Sequence, residues 1–107
     1  MNVIYGSAAG LDPTSNQFLS QGSGRLLDTA DAQDGFGASL SVGNHGNGTQ
    51  GDLAAGVPGE DSSAGAVNVV YGTAGGLDSP GNQVFREGSG GIGDQSEPGD
   101  RFGNAVG

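Results

Sequence analysis

Short runs in which apolar and small polar residues alternate recur along the chain, separated by Gly, Pro, Asn, Asp and Ser. In the clearest run, Phe36, Ala38, Leu40 and Val42 share one face, while Gly and Ser occupy the other. Such alternation is typical of half-buried strands. No window of ten or more residues carries an apolar stripe with a helical period. The pattern predicts an all-β chain, with seven strands near residues 2–5, 17–21, 36–42, 52–57, 66–71, 83–87 and 102–106.

The segments recur along the chain at a constant offset. Residues 2–40 align with residues 68–106 without a gap, and 17 of the 39 aligned pairs are identical. The identities fall into groups such as Asn-Val-x-Tyr-Gly, Gly-Leu-Asp and Asp-x-Phe-Gly, each of which occurs twice. We call the separation between aligned residues, for example from residue 2 to residue 68, the repeat period. This period is longer than the periods of helical repeat families, and it fits one four-stranded blade of a β-propeller with long loops.

The order of the predicted strands divides the chain into three parts. Residues 1–33 are expected to be the end of one blade, with its third and fourth strands. Residues 34–99 are expected to form one full repeat, and residues 100–107 the first strand of the next. Because Asp-x-Phe-Gly recurs, Phe36 and Phe102 are predicted to be equivalent buried anchors at the start of the innermost strand.

Three separated motifs in one repeat carry a family resemblance. They are Phe36-Gly37, Gly56-Val57-Pro58 and the strand that ends in Tyr71-Gly72, and Phe102-Gly103 opens the next copy. Together they resemble the FG-GAP repeat of integrin-alpha-like β-propellers, in a bacterial form rich in Gly, Ala and Asp. The resemblance covers essentially the whole chain and implies an incomplete propeller of about one and a half repeats. Val57 departs from the pattern, since Ala is usual there.

In the family that the chain resembles, the loop between the first two strands often holds calcium. Here the spacing from Asn44 to Asp52 is kept, but Gly46 and Gly48 stand at ligand positions, which leaves one carboxylate. Calcium affinity depends on the number and charge of the oxygen ligands. We therefore expect Asn44 and Asp52 to bind calcium weakly or not at all. The alternative is an ordinary turn built from Gly and Asn.

Composition and charge narrow the function classes. The net charge is −9, and Arg25, Arg86 and Arg101 are the only basic residues apart from His45, so no basic cluster is available for nucleic acid. The absence of Cys excludes disulfides and thiolate metal sites. No apolar run is long enough for a transmembrane helix, so membrane insertion is not expected. No signal peptide is expected in this chain, because Met1 is followed at once by a strand-like segment. The resemblance implies that the parent protein lies outside the cell or at its surface.

Few residues suggest catalysis. His45 is a lone histidine in a polar loop and is expected to be exposed. Glu60 and Asp61 are adjacent carboxylates after a strand, and a solvated turn is the preferred interpretation. Asp34 and Asp100 each precede Phe-Gly by one residue and are expected to accept backbone N–H bonds in a turn. The chain is therefore predicted not to be an enzyme.

The preferred hypothesis is a non-catalytic binding or adhesion module with a protein or glycan ligand. The alternative is a structural spacer blade attached to an extracellular hydrolase domain, and a third is a hydrolase with its site on the propeller face. The sequence also predicts incomplete sheets, because it contains one full blade and parts of two. The expected partners are therefore further blades of the same propeller or copies of the chain itself.

Overall fold

The computed structural model of the protein describes residues 1–22, 26, 28–46, 48–89 and 91–106. Six strands form two antiparallel sheets within these residues, and the helical element between β4 and β5 spans only four residues. The elements are β1 (Asn2–Ser7), β2 (Gly10–Phe18), β3 (Ser39–Gly43), β4 (Asp52–Val57), α1 (Glu60–Ser63), β5 (Ala66–Thr73) and β6 (Gly76–Phe85). The expected all-β class is confirmed.

The larger sheet is a meander in which β3, β4, β5 and β6 follow one another in space as in sequence. Every residue of β4 is buried, since β4 lies between β3 and β5 and is rich in small apolar residues. The smaller sheet is the β1–β2 hairpin. Leu19 and Leu26 from the first part of the chain pack with Leu53 and Val70 of the larger sheet in one core. This shared core joins the two sheets.

The repeat period is visible in the backbone. The β1–β2 and β5–β6 hairpins pair in the same register at their turns, and each contains an irregularity just before its tyrosine. The turns are closed by equivalent hydrogen bonds: Ser7 Oγ donates to the Gly10 carbonyl and Thr73 Oγ1 to the Gly76 carbonyl, both at 2.9 Å. Equal sequence therefore produces equal local structure in the two copies.

Two strands begin earlier than predicted. β2 was expected over residues 17–21 but spans Gly10–Phe18, and β6 was expected over residues 83–87 but spans Gly76–Phe85. The sequence after each tight turn contains Gly, Asp, Ser and Pro, which is typical of loops. Pairing with the full length of β1 or β5 overrides that local preference. An edge strand tolerates Pro, which has no backbone N–H, because residues that face outward from the sheet need no hydrogen-bond donor.

The predicted strand over residues 102–106 is wrong. Phe102 forms a single parallel bridge with Gly65, and residues 103–106 are turn, bend and coil. The described residues contain no neighbouring strand with which this segment pairs further. The prediction of buried anchors is wrong, because Phe36 and Phe102 are both half-buried. Phe36 lies in a turn, since β3 begins at Ser39 and not at residue 36 as predicted, and no strand follows Phe102 among the described residues. Phe36 packs against the edge of the core formed by Leu53 and its neighbours.

Candidate functional site

The glycine motifs of the repeat meet at the end of β4. The N–H of Gly37 donates to the carbonyl of Gly56 at 3.0 Å. A Cβ atom on Gly56 would lie 1.9 Å from the carbonyl oxygen of Gly103, and one on Gly65 would lie 2.2 Å from that of Phe102. Glycine is therefore required at positions 56 and 65 because two backbone segments touch there. The geometry makes these motifs a joint between successive repeats.

Neighbouring side chains complete this joint. Val57 is fully buried and Pro58 is buried beside it. Ser39 Oγ donates to the carbonyl of Gly103 at 2.8 Å, and the N–H of Phe102 donates to the carbonyl of Ala64 at 2.8 Å. The Phe-Gly motif that opens one repeat is thus held by the sheet of the repeat before it.

The joint has a counterpart in the first copy. Gly37 and Gly103 have φ angles of +83° and +84°. A Cβ on Gly37 would meet the Met1 side chain at 3.2 Å, whereas one on Gly103 would meet first the Ala66 carbonyl oxygen at 2.3 Å and then the Val67 side chain at 2.9 Å. Met1 and Val67 are separated by one repeat period, so the equivalent side chain lies beside the Phe-Gly motif in both copies, but the backbone contact is tighter at Gly103.

Asp52, the carboxylate of the predicted calcium loop, accepts hydrogen bonds from the backbone. Its Oδ2 accepts the N–H groups of His45 and Gly46, and its Oδ1 accepts that of Gly72, each at 2.8 Å. These bonds, that from Gly72 above all, lower the pKa of the Asp52 carboxyl. Asp52 therefore ties the β3–β4 loop to β5 through its carboxylate.

Asn44, the other predicted calcium ligand, directs its side chain to a different part of the loop from Asp52. Asn44 is exposed, and its Nδ2 donates to the carbonyl of Gly48 at 2.9 Å. Asn47, which belongs to the Gly and Asn turn expected in this loop, lies outside the described residues. His45 is exposed, as expected. Weak or absent calcium binding by Asn44 and Asp52 stays a prediction.

The structure brings together three carboxylates that sequence reasoning considered separately or not at all. The ligand oxygens of Asp31, Asp34 and Glu60 lie within 4.8 Å of one another. Glu60 is only 3% exposed, so the expected solvated turn is wrong for this residue, whereas Asp61 is exposed. The chain reverses at α1 through left-handed conformations at Asp61 and the next two residues, and this turn places Glu60 inward. No spacing in the sequence indicates this cluster.

Arg86 supplies positive charge next to the cluster. It forms ion pairs with Asp28 and, at 3.2 Å, with Asp61, and its Nη2 lies 3.9 Å from Glu60 Oε1. Gln21 Nε2 donates to Glu60 Oε2 at 3.0 Å. Arg86 therefore balances part of the negative charge of the carboxylates, and Gln21 supplies a hydrogen bond to Glu60.

The expected turn role of the repeated aspartates is confirmed. Asp34 Oδ2 accepts the N–H of Asp31 at 2.7 Å, and Asp100 Oδ2 accepts the N–H of Glu97 at 2.9 Å. The two bonds are one repeat period apart and have the same form. Each closes the turn that leads into a Phe-Gly motif.

Burial raises the pKa of Glu60, and the charges of Asp34, Asp61 and Asp31 raise it further, against the opposing hydrogen bond from Gln21. The folded state thus binds this proton more readily than the unfolded state does. Stability from Glu60 is present at low pH and is lost as pH rises through the interval between the ordinary pKa and the raised one.

We therefore expect Glu60→Gln to gain stability relative to the unmodified chain on going from pH of about 3.5 to about 7. Urea unfolding at both pH values measures this difference. Asp78→Asn is the matched control, since it removes one charge at an exposed position. A stability difference for Glu60→Gln that does not change with pH would contradict the assignment.

An apolar groove of about 700 Å³ lies between β1 and the larger sheet. Its lining includes Val3, Tyr5, Leu40, Val42 and Leu53. Leu40 and Val42 are 50% and 77% exposed, although the alternation in β3 had marked their face as the apolar one. β3 is an edge strand, and no neighbouring sheet among the described residues covers that face. The groove could not be found from sequence, because it depends on how the two sheets meet.

Comparison with protein families, with characterised proteins and with solved structures finds no match for this chain. In the part of the chain that the structure describes, no helix has the length and apolar character needed to cross a bilayer.

Proposed function

We propose that the chain is a non-catalytic binding module built from FG-GAP-type blades of an integrin-alpha-like β-propeller. The observation that supports this most is the repeated joint, in which the Phe-Gly motif of one repeat is seated on the preceding unit. The nearly equal φ angles of Gly37 and Gly103, and the equivalent side chain beside each, are consistent with successive blades of one ring. The four-stranded meander is consistent with one blade.

The groove is the ligand surface in this proposal. An edge strand with a free outer edge can accept an extended segment through backbone hydrogen bonds, while pockets for alternate side chains provide specificity. Within the part of the chain that the structure describes, β3 supplies such an edge, and Leu40 and Val42 supply exposed apolar side chains beside it. The ligand class is therefore a protein segment in extended conformation with alternating apolar residues.

A displayed library of short random peptides, selected on the immobilised chain, tests the proposal. We expect enriched peptides to alternate apolar and polar residues and to lose roughly tenfold or more in affinity with Val42→Lys, since a charge would be buried against them. Phe18→Lys is the control, because Phe18 is 67% exposed and lies outside the groove lining.

The alternatives predict different results, the spacer in this peptide selection and the hydrolase in an activity screen. A structural spacer would enrich no peptide at all. A hydrolase would turn over a substrate in a screen of esters, glycosides and peptides. Peptides that bind Val42→Lys and the unmodified chain equally would place the ligand surface elsewhere.

A further inference from the structure

Two side chains hold the turn of the β5–β6 hairpin against β1. Tyr5 Oη donates to Gln17 Oε1 and accepts the backbone N–H of Leu77 at 2.7 Å. Gln17 Nε2 donates to the carbonyl of the same Leu77 at 2.9 Å. Both polar backbone groups of one residue are therefore bound. We call the Tyr–Gln pair the clamp, and the Gly-Leu dipeptide that it holds, here Gly76-Leu77, the plug.

The plug fits the clamp closely. A Cβ on Gly76 would lie 2.9 Å from Tyr5 Oη and 3.2 Å from Gln17 Oε1. Leu77 is half-buried and packs against the core formed by Leu19, Leu26, Leu53 and Val70. The clamp is thus a contact between successive repeats, with the earlier repeat holding the later one.

The second repeat carries an identical clamp that is open. Tyr71 and Gln83 lie one repeat period after Tyr5 and Gln17, and Tyr71 Oη donates to Gln83 Oε1 in the same way. Gln83 is exposed. Neither side chain has a further hydrogen-bond partner within the described residues, so the Tyr71 oxygen and Gln83 Nε2 are available for a plug.

The first repeat carries an identical plug that is free. Gly10 and Leu11 lie one repeat period before Gly76 and Leu77, in a turn with the same hydrogen bonds. The φ angles of Gly10 and Gly76 are +109° and +114°. A Cβ on Gly10 would meet nothing within 4 Å, and Leu11 is 73% exposed.

We propose that the open clamp, Tyr71 and Gln83, binds the free plug, Gly10 and Leu11, of a second copy of this chain. The occupant follows from the molecule itself, because the internal contact shows which dipeptide the clamp holds and the chain displays a second one. The contact is head-to-tail, so it uses different surfaces on the two copies and continues until a ring closes or a filament grows. It does not depend on the groove having a ligand.

Charge sets the conditions for observing this association. Each copy carries a net charge of −9, so copies repel one another at low salt. At about 0.15 M salt the Debye length is about 8 Å, which screens repulsion between exposed charges but leaves short contacts intact. Association is therefore expected to strengthen as salt is raised over this range.

Sedimentation velocity at several concentrations in about 0.15 M salt tests the proposal. The unmodified chain is expected to shift from monomer to larger species as its concentration rises. Gln83→Glu removes the donor of the clamp, and Leu11→Lys places a charge on the plug. Each is expected to weaken self-association roughly tenfold or more, since one loses a hydrogen bond and the other buries an unpaired charge.

Mixing the two variants gives the decisive result. The Leu11→Lys chain keeps an intact clamp and the Gln83→Glu chain keeps an intact plug, so an equimolar mixture is expected to form a 1:1 dimer and nothing larger. Gln17→Glu is the matched control, because it alters the internal clamp and should lower the melting temperature while leaving self-association in place. Circular dichroism establishes that each variant is folded.

Three outcomes would overturn the proposal. The unmodified chain could stay monomeric at every concentration. Both variants could associate as strongly as the unmodified chain, which would place the contact on another surface. The mixture could fail to form the 1:1 dimer although each variant is folded, which would show that the clamp and the plug do not bind one another.

Discussion

Replacing Gly56 with Ala is expected to destabilise the protein by about 3 kcal/mol, which is at the upper end of the cost of overpacking a core. The added Cβ would lie 1.9 Å from the Gly103 carbonyl oxygen and 2.3 Å from Ser39 Oγ. Gly56 lies inside the fully buried strand β4, and its φ is not in the left-handed region. Alanine therefore fits the local backbone, and the cost comes from the clash of its Cβ with the Gly103 carbonyl and the Ser39 hydroxyl, which forces β4 away from both.

Urea unfolding followed by far-ultraviolet circular dichroism measures this loss. Gly6→Ala is the control, because a Cβ there meets nothing within 4 Å and its φ is not positive either. Alanine within a strand is slightly more favourable than glycine, so Gly6→Ala should be neutral or stabilising by roughly 0.5 kcal/mol. Similar effects of the two substitutions would show that the Gly56–Gly103 contact does not stabilise the fold.

Val70→Ala is expected to destabilise the protein by about 2–3 kcal/mol, because it combines lost burial with a new cavity. Val70 is fully buried in the core and pairs with Leu53 of β4. The loss of two methyl groups costs roughly 1.6 kcal/mol in transfer free energy, and the cavity left behind adds to it. Its counterpart one repeat period earlier is Ile4, which is 46% exposed because β2 is the only strand among the described residues that pairs with β1.

Ile4→Ala is therefore the matched comparison for Val70→Ala. It removes one carbon atom more than Val70→Ala, yet it should cost less, below about 1.5 kcal/mol, since much of the side chain is already in water. Both values come from the same urea unfolding experiment. An Ile4→Ala cost equal to or above that of Val70→Ala would mean that the first hairpin is covered in solution, as it would be in an assembly of copies.

The sequence predicted the strands at the centre of the larger sheet well. β4 was expected over residues 52–57 and spans that range, whereas β5 was expected over residues 66–71 and extends to Thr73. These segments carry dense Val, Leu and Ala, so local pattern and burial agree. Predictions failed where pairing contradicted local preference, as in β2 and β6, and at residues 102–106, where the described residues offer no second strand to pair with.

The predictions for site residues likewise succeeded where the contact is local in sequence and failed where it joins distant segments. The turn role of Asp34 and Asp100 could be predicted, because each bond joins groups that are close along the chain. The burial of Glu60 beside Asp31 could not, since it depends on a left-handed turn and on contacts across the core. The exposed face of Leu40 and Val42 likewise depends on how much of β3 another sheet covers.

The sequence by itself determined the repeat period, the all-β class, and the local form of each repeated turn. These properties follow from short-range rules, so identical residues such as Gly6 and Gly72 occupy equivalent places in their hairpins. Only the tertiary structure decided which residue of each such equivalent pair is buried against other chain segments. A Cβ on Gly72 would lie 2.0 Å from the Gly51 carbonyl, whereas one on Gly6 would meet nothing within 4 Å. The reason is that burial is a property of neighbouring chain segments: β5 has β4 beside it, and β1 has no such neighbour among the described residues.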